Sequence, residues 1–376
     1  MKNILRFVVL VLVVGAIIFL QSRKLPRAAS RTTATAPALV VSPQSSSRAD
    51  AIAAKARRYK RAPEISTPDG FINADRVSLG QFIGKKVVLL DFWTYSCINC
   101  QRSIPYLNAW YEKYSAKGLV IIGIHTPEFQ FEQKYDNVVA AVKKFGIQYP
   151  VVLDNDYSTW TDYGNRYWPR EYLIDIDGFI VHDHIGEGGY DETEKSIQTA
   201  LEERMTVLGA ADHIGSGIVH PAAAVESQAQ SPETYFGSGR NVYLANGVSS
   251  KDGVQTLAVP STVATDKLYL VGTWNFRPEY AKSAQPNARV IFRYRAKNVY
   301  LVSSADHAMR AELLLDGHAL GNRAGKDVVD EGGKSIVHFA GDGLSHLVSD
   351  SDGASEHTLE ILLPDPGLLL YTLTFG

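Results

Sequence analysis

Two cysteines, Cys97 and Cys100, are the whole cysteine content of this 376-residue chain. They stand three apart, in Cys97-Ile98-Asn99-Cys100. The pair lies between residues 86–93 (KVVLLDFW), an apolar run of buried-strand length, and residues 97–115, which read as a helix carrying Ile98, Leu107, Trp110 and Tyr111. A cysteine at a helix N-terminus meets unpaired backbone N–H groups and the positive end of the helix dipole. Both favour the thiolate, and such sites lower a thiol pKa from about 8.5 into the range of about 3.5–7.5. A second cysteine one turn further on can attack the mixed disulfide that the first one forms. The spacing therefore supplies a nucleophile, Cys97, and a resolving thiol, Cys100.

Other uses of the pair are weaker. A structural disulfide across so small a loop adds little stability. Zinc needs two further ligands; His182 and His184 are candidates, but the reading sets them on opposite faces of a strand, so no metal is expected. Asp91 lies six residues before Cys97, inside the apolar run. A buried acid there costs several kcal/mol unless it is paired or protonated. Its place near the cysteines fits a proton acceptor for Cys100, reached through water; the alternative is an exposed strand edge. Pro105 falls inside the helix and is expected to kink it. Pro169 closes the run Tyr163-Gly164-Asn165-Arg166-Tyr167-Trp168-Pro169 and enters a strand, where a proline tolerates the first position and can be cis.

These residues need a scaffold. Between residues 63 and 206 strand and helix signals alternate. Residues 119–125 (LVIIGIH) and 149–153 read as strands, 131–145 and 191–208 as helices, and Asp177-Gly178 as the turn of a hairpin. That order argues for an α/β domain with a mixed sheet covered by helices. Residues 207–231 read as a linker. Residues 232–376 carry short alternating segments split by turns such as Asp316-Gly317 and Gly332-Gly333, with no sustained helical period, and suggest an all-β sandwich.

The composition, 45% hydrophobic and 21% charged, excludes wholesale disorder, and two cysteines exclude a multi-disulfide scaffold. The net charge of −2 gives no global field for nucleic acid, and no nucleic-acid partner is expected. That sum hides a split: residues 21–62 hold ten basic residues and one acid, so the body after them is acidic. Phe7 to Leu20 is an unbroken apolar run of 14 residues, or 17 from Ile4 if Arg6 snorkels. No small-residue cleavage site follows it. Residues 1–22 are expected to be a single membrane-spanning signal-anchor, with a cleaved signal peptide and then a buried core helix as the alternatives, and 23–62 a basic flexible linker with a short helix near 51–61. The flanking charges do not put the body outside, and taken alone they lean slightly the other way.

Asp91-Phe92-Trp93, the Cys97-x-x-Cys100 pair, Pro105 and the Tyr163-Gly164-x-Arg166-x-x-Pro169 run together resemble thioredoxin. The long interval from Cys100 to Pro169 resembles the membrane-anchored redoxin proteins of the TlpA/ResA type. The stretch from Phe92 to Tyr106 is similar to the soluble region of DipZ-type proteins, where a thioredoxin-like domain precedes a β-sandwich like a carbohydrate-binding module. Pro232-Glu233-Thr234-Tyr235-Phe236-Gly237 and the closing Tyr371-Thr372-Leu373-Thr374-Phe375-Gly376 also look like that C-terminal domain. The resemblance implies a thioredoxin-like fold, with Cys97 attacking, Cys100 resolving and Asp91 as the buried acid. It implies that Pro169 forms the cis-proline loop beside the sulfurs, with Trp168 and Arg170 touching substrate; Trp93 and Tyr95 are expected at the same surface. Ser96, Ile98-Asn99 and Ser103 depart from the family pattern.

The expected function is a membrane-anchored thiol–disulfide oxidoreductase on the extracytoplasmic side of the cytoplasmic membrane. It would reduce disulfide-containing envelope proteins, with no cofactor and with electrons from a CcdA-type membrane donor. The alternatives are a thiol-dependent peroxidase, or an envelope glycan- or protein-binding molecule whose β-sandwich is the working part. For a carbohydrate ligand, Trp274, Phe276 and Tyr280 are the candidate platform. Asp350-Ser351-Asp352-Gly353 lacks a full calcium ligand set, and His307, His318, His338, His346 and His357 have no metal spacing.

Overall fold

The computed structural model describes residues 43–210, 213–222 and 229–376. The apolar run at 7–20 and the first half of the basic stalk lie outside the described residues. Among those described, no helix is long and apolar enough to cross a membrane.

The helix expected near 51–61 starts earlier in the stalk. Pro43–Arg58 is helix α1. Its second half is rich in alanine, lysine and arginine, all strong helix formers. The Lys55 ammonium sits among Asp175 at 2.5 Å, Asp177 at 2.9 Å and Glu203, and these carboxylates hold its pKa above the usual lysine range despite burial. Just after α1 the chain joins the sheet region: Ile180 N–H donates to Lys60 O, and Ala62 N–H to Gly178 O.

A six-stranded sheet follows. Its strands are β1 (Gly70–Ile72), β2 (Val87–Trp93), β3 (Leu119–His125), β4 (Val151–Leu153), β5 (Arg170–Ile174) and β6 (Ile180–Ile185), in the order β1-β4-β3-β2-β5-β6. β2, β3 and β4 run parallel; β1, β5 and β6 pair antiparallel with their neighbours. The helices are α2 (Ile98–Tyr114), α3 (Tyr135–Lys144), α4 (Ser158–Asp162) and α5 (Tyr190–Leu208). A 3-10 turn at Gln130–Gln133 takes the start of the stretch expected to be wholly helical. Pro105 lies within α2, which runs on past it to Tyr114. The Asp177-Gly178 turn joins β5 to β6 as expected, with Gly178 at φ +86°.

Central strands of a parallel sheet are buried on both faces, which is why β2 reads as an unbroken apolar run. Alternation splits it in two. Val88, Leu90 and Phe92 join Ile122, Ile124, Tyr172 and Ile174 in one core. Leu89 and Trp93 join Leu173, Tyr149 and the inner sides of α2 and α5 in the other, through Ile104, Leu107, Ile197 and Leu201.

The C-terminal region contains β7 (Thr234–Tyr235), β8 (Gly253–Leu257), β9 (Leu268–Phe276), β10 (Ala281–Ser283), β11 (Ala288–Ala296), β12 (Asn298–Leu315), β13 (Val328–Glu331), β14 (Lys334–Ser349), β15 (Ser355–Leu363) and β16 (Leu369–Phe375). Not all of these strands are short: β12 has 18 residues and β14 has 16. Two segments expected to be separate, 298–302 and 311–315, are one strand, with a register shift between Ala305 and Met309. Its first half pairs with β16 and its last residues with β15. The ladder therefore closes on itself through β12, β15, β11, β9, β10 and β16. Its interior is apolar and includes Phe236, Trp274, Phe276, Phe292, Ile361 and Leu363.

Candidate active site

Cys97 is the N-cap of α2, and its sulfur accepts the Cys100 N–H at 3.3 Å. The extended backbone of Cys97 (φ −74°, ψ 116°) turns the chain from the end of β2 into the helix. Cys97 is part-exposed, whereas Cys100 is 1% exposed. Burial pushes the Cys100 thiol well up, and the Cys97 sulfur and Asp91 add to the shift. One sulfur meets solvent and the other waits beneath it in its protonated form.

Asp91 is buried on β2, between Leu89 and Trp93, on the face that α2 covers. Burial, and then the nearby Glu171 carboxylate, push its pKa well above the usual range. The strand-edge alternative is thereby excluded. Trp168–Pro169 is a cis peptide, with Pro169 buried and Trp168 half-buried. The Trp168 indole N–H donates to Thr126 O at 3.0 Å, and its ring packs 4.2 Å from Trp160. Trp168 lines the same cavity as Cys97, a space of about 370 Å³.

Three expected substrate contacts are corrected. Trp93 is 0% exposed and Tyr95 7% exposed. Both pack on the buried His125 ring, Trp93 edge-on at 5.1 Å and Tyr95 stacked at 5.8 Å. The indole lies so close to Gly123 that a Cβ there would meet its Nε1 at 2.8 Å. Arg170 pairs with Asp183 at 2.6 Å and lies over Tyr172, one of the core residues on the sheet face away from α2. Arg166 and Tyr167, before the cis peptide, line the cavity instead. His182 and His184 are two apart and so share a face, contrary to expectation; they lie opposite Leu173 and Glu171, on the side of α2. Neither belongs to a metal-type cluster among the described residues.

Glu132 was not foreseen. It is fully buried and accepts from the Ser96 hydroxyl at 2.5 Å, from Glu128 N–H at 2.6 Å and from Phe129 N–H at 2.9 Å. It ties the residue before Cys97 to the 3-10 turn. Burial, opposed by these hydrogen bonds, leaves its carboxyl pushed up to about 7. No local pattern marked it, because Phe129 has no side-chain acceptor with which to open a capping box.

The second unforeseen feature is the far wall of the cavity. It comes from the C-terminal region: Glu233, Tyr235, Arg240, Thr372 and Thr374. Arg240 pairs with Glu128 at 2.7 Å and lies 3.7 Å over the Tyr235 ring, whose hydroxyl reaches the same carboxylate at 2.9 Å. Tyr371 packs against Phe129 and Phe131 at 4.8 and 4.9 Å. Arg102 in α2 pairs with Glu187 and reaches Phe375 O. The two stretches that resemble the DipZ-type C-terminal domain, 232–237 and 371–376, thus meet the redox region, as do Arg240, Glu279 and Asp342. By contrast, Trp274 and Phe276 are 0% exposed and cannot form a sugar platform, and Tyr280 packs on Tyr371. Asp350 is buried among Arg323 and His357 rather than open to a cation.

Residues 59–201 match the family model described as Redoxin, and residues 231–376 the one described as Thioredoxin like C-terminal domain. Over 135 residues the chain is 32% identical to the thiol-disulfide oxidoreductase ResA of Bacillus thuringiensis, covering 36% of this chain and 73% of that protein. The chain belongs to the thioredoxin-like redoxin family. Protein DipZ of Mycobacterium tuberculosis is 35% identical over 320 residues, 84% of this chain. The chain spans 43% of that relative's length. The thioredoxin domain of a thiol-disulfide oxidoreductase from Bacteroides vulgatus is 28% identical, with a TM-score of 0.32, over 37% of this chain and 96% of that one. A redoxin domain thus carries both cysteines, and the C-terminal domain of the second match closes one side of their cavity.

Proposed function

We propose that this redoxin is a thiol–disulfide oxidoreductase that reduces disulfides in other proteins. The Cys97 thiolate attacks a substrate disulfide, one substrate sulfur leaves as a thiolate, and a Cys97–substrate mixed disulfide forms. Cys100 then attacks the Cys97 sulfur and releases the second substrate thiolate. The dithiol loses two electrons to the substrate disulfide, and Asp91 is the acceptor for the Cys100 proton. The observation that carries this reading is the pair itself: an accessible Cys97 capping α2, with a buried, protonated Cys100 one turn inside it and an acid beneath.

The apolar run at 7–20 and the basic stalk support a membrane anchor, with the body on the extracytoplasmic side, envelope proteins as substrates and a CcdA-type donor for re-reduction. That donor is required there because the periplasm holds no reducing thiol buffer. A cavity open at Cys97 and walled by Tyr235 and Arg240 suits an extended cysteine-bearing segment rather than a flat protein face.

Insulin reduction by the full chain, with dithiothreitol as electron source, tests the activity. The wild type should accelerate it, and Cys97→Ser should fall to the rate of dithiothreitol alone. Insulin reduction that survives in Cys97→Ser would reject the reading. Peroxide consumption in place of insulin reduction would move the chain to the thiol peroxidases.

A further inference from the structure

Three titratable side chains stand in one row across the sheet. Asp91 on β2 is the cross-strand partner of Glu171 on β5, and Glu171 is the partner of His184 on β6. Directly opposed residues hold their side chains on the same face, with Cβ atoms about 4.5–5.5 Å apart. That face is the one beneath Cys100, since Leu89, Trp93 and Leu173 around the two acids share a core with it. Asp91 is 1% exposed and Glu171 3% exposed. Asp91 Oδ1, Glu171 Oε2 and His184 Nε2 are all buried and have no hydrogen-bond partner. Three unpartnered polar atoms in one row are a costly arrangement for a core that needs only stability.

The other groups facing the row carry no fixed charge to offset it. Cys100 faces it from α2, Tyr149 from the segment before β4, Tyr190 and Thr193 from α5, and His182 from β6. Burial holds His182 in its neutral form, and only Thr193 hydrogen-bonds Glu171. Two buried carboxyl groups on directly opposed residues resist ionising together, and after burial the Glu171 carboxylate raises Asp91 further. At the outer end, the half-buried His184 ring lies under Gly189, where a Cβ would come within 2.5 Å of its Cε1. Glycine at the start of α5 leaves the ring its place.

We propose that Asp91 and Glu171 act as a coupled pair of acids that takes the proton of Cys100 and passes it through water along the row to His184 and solvent. The proposal rests on the oxidoreductase reading. In the resolving step the Cys100 S–H bond breaks, its proton enters the carboxyl pair, and a Cys100–Cys97 S–S bond forms. The Cys97–substrate S–S bond breaks, and the departing thiolate takes a proton from solvent. The proton held by the pair leaves past the His184 ring at the outer end of the row. Glu171 acts through Asp91 and is a positioning residue for the proton.

The reaction of the reduced full chain with 5,5′-dithiobis(2-nitrobenzoate) separates the steps, because one coloured thiolate leaves when Cys97 attacks and a second when Cys100 resolves. In Glu171→Gln the first release should stay within about twofold of the wild type. The second should slow about tenfold at pH 7, since a positioned acid–base group contributes about 10²–10⁴-fold and Asp91 remains. Its pH midpoint should move down, because Asp91 loses a like-charged neighbour. His184→Asn should slow the second release several-fold, and added imidazole should restore it. The glutamine variant removes one of two opposed acids and leaves no charge newly unpaired, so it should fold. A second release with unchanged rate and midpoint in Glu171→Gln would overturn the relay alone. A wild-type chain that gives no first release would overturn the oxidoreductase reading, and the relay with it.

Discussion

The two faces of β2 are built to different rules. Val88, Leu90 and Phe92 look into a core of aliphatic and aromatic side chains. Leu89, Asp91 and Trp93 look the other way, into a core that also holds Cys100 and lies against Glu171. The first face does what a sheet face does for stability: each fully buried large apolar side chain contributes about 1.5–3 kcal/mol. The second gives up part of that gain to keep two carboxyl groups and a thiol out of water. Where one strand spends half its side chains on packing and half on unpaired acids, the acids mark the chemistry.

Substitutions on the two faces should therefore separate stability from rate. The largest contrast is Cys97→Ser, which should remove disulfide reduction entirely and leave the urea unfolding midpoint nearly unchanged. Asp91→Asn comes next. It should slow decay of the mixed disulfide about 100-fold at pH 7 while leaving its formation nearly unchanged, and stability should hold or rise because a buried carboxyl is gone. Phe92→Ala, one residue on, should do the reverse. It should cost about 3–5 kcal/mol in denaturant unfolding with per-molecule activity retained in the folded fraction. An Asp91→Asn enzyme that resolves at the wild-type rate would break the comparison.

The pH dependence of stability sharpens the contrast. Burial pushes Glu171 up to about 7, from an ordinary value of about 4.3. Below about pH 4 the group is protonated in both the folded and the unfolded chain. As pH rises towards 7 the unfolded chain ionises it and the folded chain does not, so stability is lost, by up to about 4 kcal/mol, and the loss levels off above 7. Glu171→Gln should flatten that part of the stability profile, measured by urea unfolding at pH 5 and 7.5; Leu90→Ala should lower the whole profile without changing its slope. The smallest effect is expected at the cavity wall. Tyr235→Phe removes the hydroxyl that reaches Glu128 and Glu233 and should change KM for a cysteine-bearing peptide modestly, with kcat nearly intact.

The redox region was largely legible in the residues themselves. The Cys97-x-x-Cys100 spacing, the acid inside an apolar strand and the proline entering β5 are local signals, and each side chain lies where its own strand or helix puts it. Glu171 was harder to see. It follows Arg170 in a strand, and nothing in the local pattern says that it stands beside Asp91; only the antiparallel pairing of β2 with β5 does. The cavity wall was hidden for the same reason. Tyr235 and Thr372 are more than a hundred residues from Cys97, and their place depends on how the C-terminal strands close. Trp274 and Phe276 misled because aromatic residues at alternating positions suit a core as well as a platform. Trp93 and Tyr95 misled because closeness in sequence to Cys97 stood in for exposure, whereas the strand end turns both onto His125.

The division of labour between the two sulfurs is the central claim, and trapping tests it directly. Reduced Cys100→Ser, mixed with a disulfide-bearing peptide and quenched in acid, should accumulate a stable mixed disulfide that mass spectrometry maps to Cys97. Cys97→Ser under the same conditions should stay free of adduct, because Cys100 is buried and protonated. An adduct on Cys100 forming as fast as the one on Cys97 would contradict the account.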